Sequence, residues 1–398
     1  MRAIGGKGDC CNPARLPRTG GGRRYQPMWG EQHLMSRGQS LTLRLSAGLF
    51  LWVATLPGHH ALRAEPQQPP TPVGSPHFGP ARVGSAGVGA DGVGADGAPR
   101  STSAPKQTMG GQQFWTDLLL FRGWRIQQHA LTKRCRLLDE RNRRWESGDF
   151  QTCASRLDDL KRSLGLRRMG GKAVILLHGL ADTRWVMSEL ESHLQQQGGH
   201  EHVLNMSYAS TRDHVEAHSE ALASVIQGLD GVSQLDLVGY SLGAIVIRHY
   251  AKRGDVDRRI SRVVMLGPPN KGAHLASHFG KGNKLFAWVA GASAVELGTE
   301  WDKIAKDLGT PPGAFGIIAG AVARRGIDNP LIDGDDDMIV AVNETLLAGA
   351  DDFAVLPFTH TELPKKEQVW TLVDRFLENG YFRTAERRRP IIKRETSE

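Results

Sequence analysis

Gly239-Tyr240-Ser241-Leu242-Gly243 is the stretch on which the reading of this chain turns. It fits Gly-x-Ser-x-Gly, and its surroundings fit with it. Leu235-Asp236-Leu237-Val238 ahead of it is a short apolar-rich run of strand type, and Ala244-Ile245-Val246-Ile247-Arg248-His249-Tyr250 behind it reads as a helix. Strand, tight turn and helix are the setting in which this motif presents a serine on a strained turn. The glycines stand where a side chain would clash with the neighbouring strand and helix. As a bare pattern the five residues recur by chance in glycine-rich turns; flanked in this way they mark Ser241 as a candidate nucleophile.

A serine hydroxyl is a poor nucleophile at neutral pH, so Ser241 needs a base, and the base needs an orienting carboxylate. On this kind of turn the partners follow in the order serine, acid, histidine, just past the carboxyl ends of later strands. His360 meets that requirement, four residues after the strand-like Phe353-Ala354-Val355-Leu356. Of the other histidines after Ser241, His249 falls in the helix behind the motif, and His274 and His278 fall in a segment that interrupts the strand–helix rhythm. The acid is expected in Asp333-Gly334-Asp335-Asp336-Asp337; such a run also suits a solvated loop or a calcium site. Two N–H groups are needed for a developing oxyanion. Leu242, directly after the serine, supplies one, and Leu180 in His178-Gly179-Leu180, after the first strong strand, is the candidate for the other. His178 itself is expected to brace that loop, because using it as the base would break the chain order.

Outward from the motif, strand-like and helical stretches alternate. Strands are expected at 173–177, 203–207, 235–239, 263–266, 315–319 and 353–356, with helices near 184–197, 212–228, 242–252 and 365–379. That rhythm implies an α/β fold: a mostly parallel central sheet with helices on both faces. Residues 113–168 read as a short helical segment preceding it, with Phe114, Trp115, Leu118 and Leu119, then Trp124, Ile126 and Leu131, then Leu137 and Leu138 as its apolar face and a second helix at 150–164. The α/β domain is expected to span 170–382, interrupted by a small cap at 271–310 and followed by a frayed basic tail, 383–398.

The ends of the chain carry other signals. The formal charge of +8 divides unevenly: residues 1–110 hold 12 Lys/Arg against 5 Asp/Glu, whereas residues 111–398 hold 38 against 37. The basic excess belongs to the leader, which argues against nucleic acid as a partner of the folded part. Within a leader of residues 1–64, the apolar run 45–56 is too short to span a bilayer but suits the core of a secretory signal, so export is expected; Met35 or Met28 is an alternative start. Residues 65–112 are rich in Pro, Gly and Ala and read as a disordered linker. Cys135 and Cys153 remain in the folded part, as one disulfide or two buried thiols.

Together these stretches resemble the α/β-hydrolase fold in its lipase/esterase branch. The residues that carry the resemblance are Leu176-Leu177-His178-Gly179-Leu180, the Ser241 pentapeptide, Gly267-Pro268-Pro269-Asn270-Lys271-Gly272, Asp335-Asp336-Asp337-Met338-Ile339-Val340-Ala341-Val342 and His360-Thr361. The Gly-Pro-Pro-Asn-x-Gly stretch is similar to a loop of bacterial lipases and of lipid-anchor deacylases. The family pattern Asp-Gly-x-Val-x-Val places the acid at Asp337, but Met338 stands where glycine is usual, which keeps Asp335 and Asp336 as rivals. The resemblance implies a serine hydrolase of carboxylic esters, of lipid or acyl type, with Ser241, Asp337 and His360 as triad and no metal or organic cofactor. Segment 271–310, holding Leu285, Phe286, Trp288, Val289 and Leu297, falls where the family often carries a lid; it is either an amphipathic lid that meets a lipid surface or a closed helical cap. The same triad can run amide or thioester hydrolysis or acyl transfer, and a non-catalytic binding module is the reading outside enzymes.

Overall fold

The computed structural model describes residues 106–108, 111–273, 291–327 and 329–392, all within one compact unit. The leader, residues 65–105 of the expected linker and the lid residues Leu285, Phe286, Trp288 and Val289 lie outside them, as do His274 and His278.

Its centre is a six-stranded sheet in which every neighbouring pair is parallel. The strands are β6 (Lys172–Leu177), β7 (His202–Met206), β8 (Gln234–Tyr240), β9 (Ile260–Leu266), β10 (Ala314–Gly320) and β11 (Asp352–Leu356). They lie in the order β11-β10-β9-β8-β6-β7. The continuous apolar runs of these strands follow from burial on both faces, since successive side chains point in opposite directions. Ala173, Ile175, Leu177, Leu237, Met265 and Ile317 join one core cluster, while Val174, Leu176, Val238, Val264 and Ile318 join a second. Helices Ser188–Gln197 (α2) and Glu367–Asn379 (α7) cover the second face with Leu190, Leu194, Val369, Val373 and Phe376. Helices Val215–Gln227 (α3) and Leu242–Ala251 (α4) cover the first with Leu222, Val225, Ile245 and Ile247.

The segment ahead of this domain is not the expected helix. Residues 106–148 form a five-stranded antiparallel sheet, in the order β1-β5-β4-β3-β2: β1 (Lys106–Gln107), β2 (Trp115–Phe121), β3 (Trp124–His129), β4 (Cys135–Leu138) and β5 (Arg143–Gly148). Only α1 (Phe150–Ser163) keeps the helical expectation, capped by Asp149, whose side chain accepts from the Thr152 N–H at 2.7 Å. Two physical facts account for the difference. Left-handed residues Arg122, Lys133 and Asn142, with φ of 55, 54 and 57°, turn the chain back at each hairpin. Some of the segment's polar residues are buried, as one face of a strand pair requires: register puts Asp117 beside Gln127 and Gln127 beside Arg136 on one face, all three buried, while Phe121, Ile126, Cys135 and Leu137 on the other join the core cluster that holds Cys153 and Leu157 of α1. A bulge between Asp117 and Leu119 further blurs the strand period.

Two smaller expectations also change. Lys106 and Gln107, placed in the linker, pair with Arg144 and Arg143 as an edge strand. The tail is tied down as far as it is described: the Arg389 N–H donates to Asp352 and the Ile391 N–H to the Ala350 carbonyl, both at 2.9 Å. Cys135 and Cys153 are separate buried thiols.

Candidate active site

The order of the central sheet reverses direction between β6 and β8, and the loops leaving the carboxyl ends of those strands build the site, where open parallel sheets place their ligands. Leaving β8, Ser241 holds φ 52° and ψ −117°, a left-handed backbone that an L-residue adopts only at a cost. Both glycines of the pentapeptide are forced by space. A Cβ on Gly239 would stand 2.6 Å from the Ala244 nitrogen, and one on Gly243 2.5 Å from the Leu177 carbonyl oxygen. The turn is anchored by the Ser241 N–H, which donates to the Leu266 carbonyl at 2.8 Å.

His360 opens the short helical turn after β11 and is 4% exposed. Its Nε2 lies 2.9 Å from Ser241 Oγ and its Nδ1 2.6 Å from Asp337 Oδ2. Asp337 is fully buried in the loop that follows β10. Its second oxygen, Oδ1, accepts from the Ile339 and Val340 N–H groups at 3.1 and 2.8 Å, and its carbonyl accepts from the His360 N–H at 2.8 Å. One residue is thus hydrogen-bonded to His360 twice, to its imidazole through the side chain and to its backbone N–H through the carbonyl. The rivals serve the loop instead. Asp335 is exposed and caps the Ala323 N–H at 3.1 Å, and Asp336 Oδ1 accepts from the Met338 N–H at 2.6 Å. Met338 has φ 79°, so the left-handed conformation that suits glycine is kept here by methionine. Its two backbone bonds, to Asp336 and from Asn329 Nδ2 to its carbonyl at 2.9 Å, hold it there.

The loop leaving β6 carries Leu180. Its N–H donates to no acceptor among the described residues, and Leu242, as first residue of α4, has no acceptor within its helix. His178 braces this loop. Its Nδ1 lies 2.9 Å from the Gly179 carbonyl, its Nε2 takes the Tyr208 N–H at 3.4 Å, its ring stacks on Tyr208 at 4.2 Å, and the Tyr208 hydroxyl donates to its carbonyl. Complete burial pulls its pKa down to about 4, so it stays neutral.

Two residues of the site escaped sequence reasoning. Tyr240, buried, tilts its ring over His360 at 5.2 Å. Asp182, two residues past Leu180, has its pKa raised to about 6 by burial, against the opposing pull of His360 and Lys365. No sequence signal marks Asp182 beyond its place in the β6 loop. Among the described residues, no group of three or more His, Cys, Asp or Glu side chains is placed to hold a metal ion.

The sequence profile of the alpha/beta hydrolase family matches residues 174–387, more than half of the chain and every residue of the Ser241–His360–Asp337 array. The chain belongs to the alpha/beta hydrolase family. A comparison with curated proteins found none that matches. Among solved structures, this hydrolase is similar to Bacillus licheniformis lipase BlEst2 in mature form, at 16% identity over 52% of this chain and 90% of that one, with a TM-score of 0.40. It is also similar to phospholipase PlaB from Legionella pneumophila (16% identity, 55% and 58% of the chains, TM-score 0.38) and to Aspergillus fumigatus lipase B (14%, 55% and 55%, 0.39).

The described half of segment 271–310 forms short helices, α5 (Ala292–Leu297) and α6 (Trp301–Ile304), with Leu297, Ile304 and Leu308 buried in the main core.

Proposed function

We propose that this hydrolase cleaves carboxylic esters of lipid or acyl type through an acyl-enzyme, in the manner of the lipase/esterase branch. The observation that carries the reading is the unbroken hydrogen-bond chain from Asp337 Oδ2 through His360 to Ser241 Oγ, with links of 2.6 and 2.9 Å. In this mechanism His360 Nε2 takes the Ser241 proton as Oγ attacks the ester carbonyl. Asp337 holds the imidazole with Nδ1–H directed at itself, which leaves Nε2 free as the base. The carbonyl oxygen gathers negative charge as the tetrahedral intermediate forms, and the Leu180 and Leu242 N–H groups are the donors assigned to it. Collapse expels the alcohol with the proton returned from Nε2. A water molecule then repeats the sequence on the acyl-serine and frees the acid.

The test is hydrolysis of p-nitrophenyl esters of two to sixteen acyl carbons by the full chain and by its Ser241→Ala variant. Turnover is expected to fall by roughly 10⁴-fold or more with the fold unchanged by circular dichroism. Equal rates in the two proteins would end the assignment, and the chain-length optimum separates esterase from lipase.

Export belongs to the same proposal. It rests on the apolar run 45–56, outside the described residues. Fractionation of expressing cells, with the N-terminus of the product sequenced, tests it; retention with an intact leader would overturn it.

A further inference from the structure

Between the antiparallel sheet and the hydrolase domain lies a cavity of about 80 Å³, several times the space one water needs. Its lining includes Gln112, Arg136 and Asn142 from the N-terminal side and Arg184 and Ser207 from the hydrolase side, and no acidic side chain. Arg136 and Arg184 are buried, at 8 and 9% exposure, yet neither forms an ion pair among the described residues. Arg136 spends Nε and one terminal nitrogen on Gln127 Oε1, at 3.0 and 2.8 Å, with its guanidinium 3.7 Å above the Trp115 ring. Arg184 donates to Asn142 Oδ1 at 3.3 Å.

The carboxylate behind them is already taken. Asp117 Oδ2 accepts from Arg125 at 3.0 Å and from the Ser207 N–H at 2.7 Å, and Oδ1 from Gln127 at 2.8 Å. Glu191, whose charge also reaches Arg184, accepts from Asn205 Nδ2 on its Oε2 at 2.7 Å. Three buried guanidiniums therefore surround one saturated carboxylate. Two further groups in the same lining have no hydrogen-bond partner among the described residues, the Ser207 hydroxyl and the buried Gln112 Oε1. Unpaired buried cations are costly, and burial pushes both guanidiniums down to about 10.

We propose that this cavity is a binding site for a small oxyanion of the phosphate type, held by Arg136 and Arg184 with the Ser207 hydroxyl as a neutral donor. Guanidinium forks match the oxygens of such an anion better than any other side chain. Arg184 also lines an adjoining cleft of about 450 Å³, so the anion is either free or the head of a phosphomonoester whose remainder lies in that cleft. Because Arg184 follows Leu180 by four residues, an anion there ties the end of the β6 loop to the N-terminal sheet. The site stands independently of the reading of Ser241.

Isothermal titration of the full chain with sodium phosphate, at constant ionic strength in chloride, is the test. Saturable binding with one phosphate per chain is expected, with the thermal midpoint rising as phosphate is added. The dissociation constant should rise at least about tenfold in Arg184→Gln, which removes a charge-assisted contact, and by a smaller factor in Ser207→Ala, which leaves every ion pair in place. Tighter binding of glycerol 1-phosphate than of phosphate assigns the phosphomonoester, and equal or weaker binding assigns the free anion. No saturable binding of either, or binding unchanged in both variants, would overturn the site. Because the titration also runs on Ser241→Ala, failure of the hydrolase reading would leave this result untouched.

Discussion

At the residue scale, Asp182 is a carboxyl held where burial disfavours its charge. Its charge interacts with those of His360 and Lys365, its side chain accepts no hydrogen bond among the described residues, and burial lifts its pKa from 3.8 to about 6. Folding thus binds a proton at this carboxyl between those two values. The stability linked to it is fully present below about pH 4 and is lost as pH rises through about 6. Asp182→Asn is therefore expected to be more stable than the parent at pH 8, by about 1–2 kcal/mol given the partial exposure of the group, and equally stable near pH 3.5. Urea midpoints at the two pH values check this; an equal gain at both would show that the charge is not the cause.

Strand β8, the Ser241 turn and α4 act as one element because space, not propensity, sets their geometry. The Cβ that Gly243→Ala introduces would meet the Leu177 and His178 carbonyl oxygens at 2.5 and 2.9 Å. Those atoms lie just ahead of Leu180, so strain at the turn displaces the loop whose N–H is proposed as the second oxyanion donor. Gly243→Ala is expected to cost about 1–3 kcal/mol of stability and, in the fraction that folds, at least about 10²-fold in kcat with KM little changed. Full activity in a soluble variant would show that the two loops are not coupled through this contact. The pentapeptide, the β6 loop and the histidine after β11 were legible because each is local: a motif, its flanking strand and a fixed order along the chain. Asp337 was legible only through a family pattern, since choosing among Asp335, Asp336 and Asp337 depends on which carboxylate the loop turns inward.

At the scale of the whole molecule, the antiparallel sheet covers the β7 edge of the hydrolase sheet. The Asp117 N–H donates to the Ser207 carbonyl at 2.9 Å while the Asp117 side chain takes the Ser207 N–H. Helix α3 packs against β2 as well as against α4. One core cluster accordingly runs from Ile126 and Leu137 through Leu157 to Ile175 and Val225. Asp117→Ala leaves Arg125, a buried cation, without its partner and is expected to cost about 3–5 kcal/mol. A single unfolding transition, shifted as a whole, is expected in urea; two transitions, with only one of them moved, would mean that the sheets fold independently.

What the chain determines locally is the run of alternating strands and helices from Lys172 onward, the strained Ser241 turn and the order of the residues hydrogen-bonded to it. Apolar strands buried on both faces and a glycine-bracketed serine are properties of contiguous residues. What only the tertiary structure decides is every feature that depends on distant charges meeting. Arg125, Gln127 and Arg136 look solvated in one dimension, because the Asp117 carboxylate that accepts from the first two and the Gln127 oxygen that accepts from the third arrive through strand pairing. The same pairing turns an apparent helix into five strands and leaves Arg184 facing a cavity. It also chooses Asp337 over its neighbours, because hydrogen-bond geometry within a folded loop, and not composition, selects which of three adjacent carboxylates reaches an imidazole.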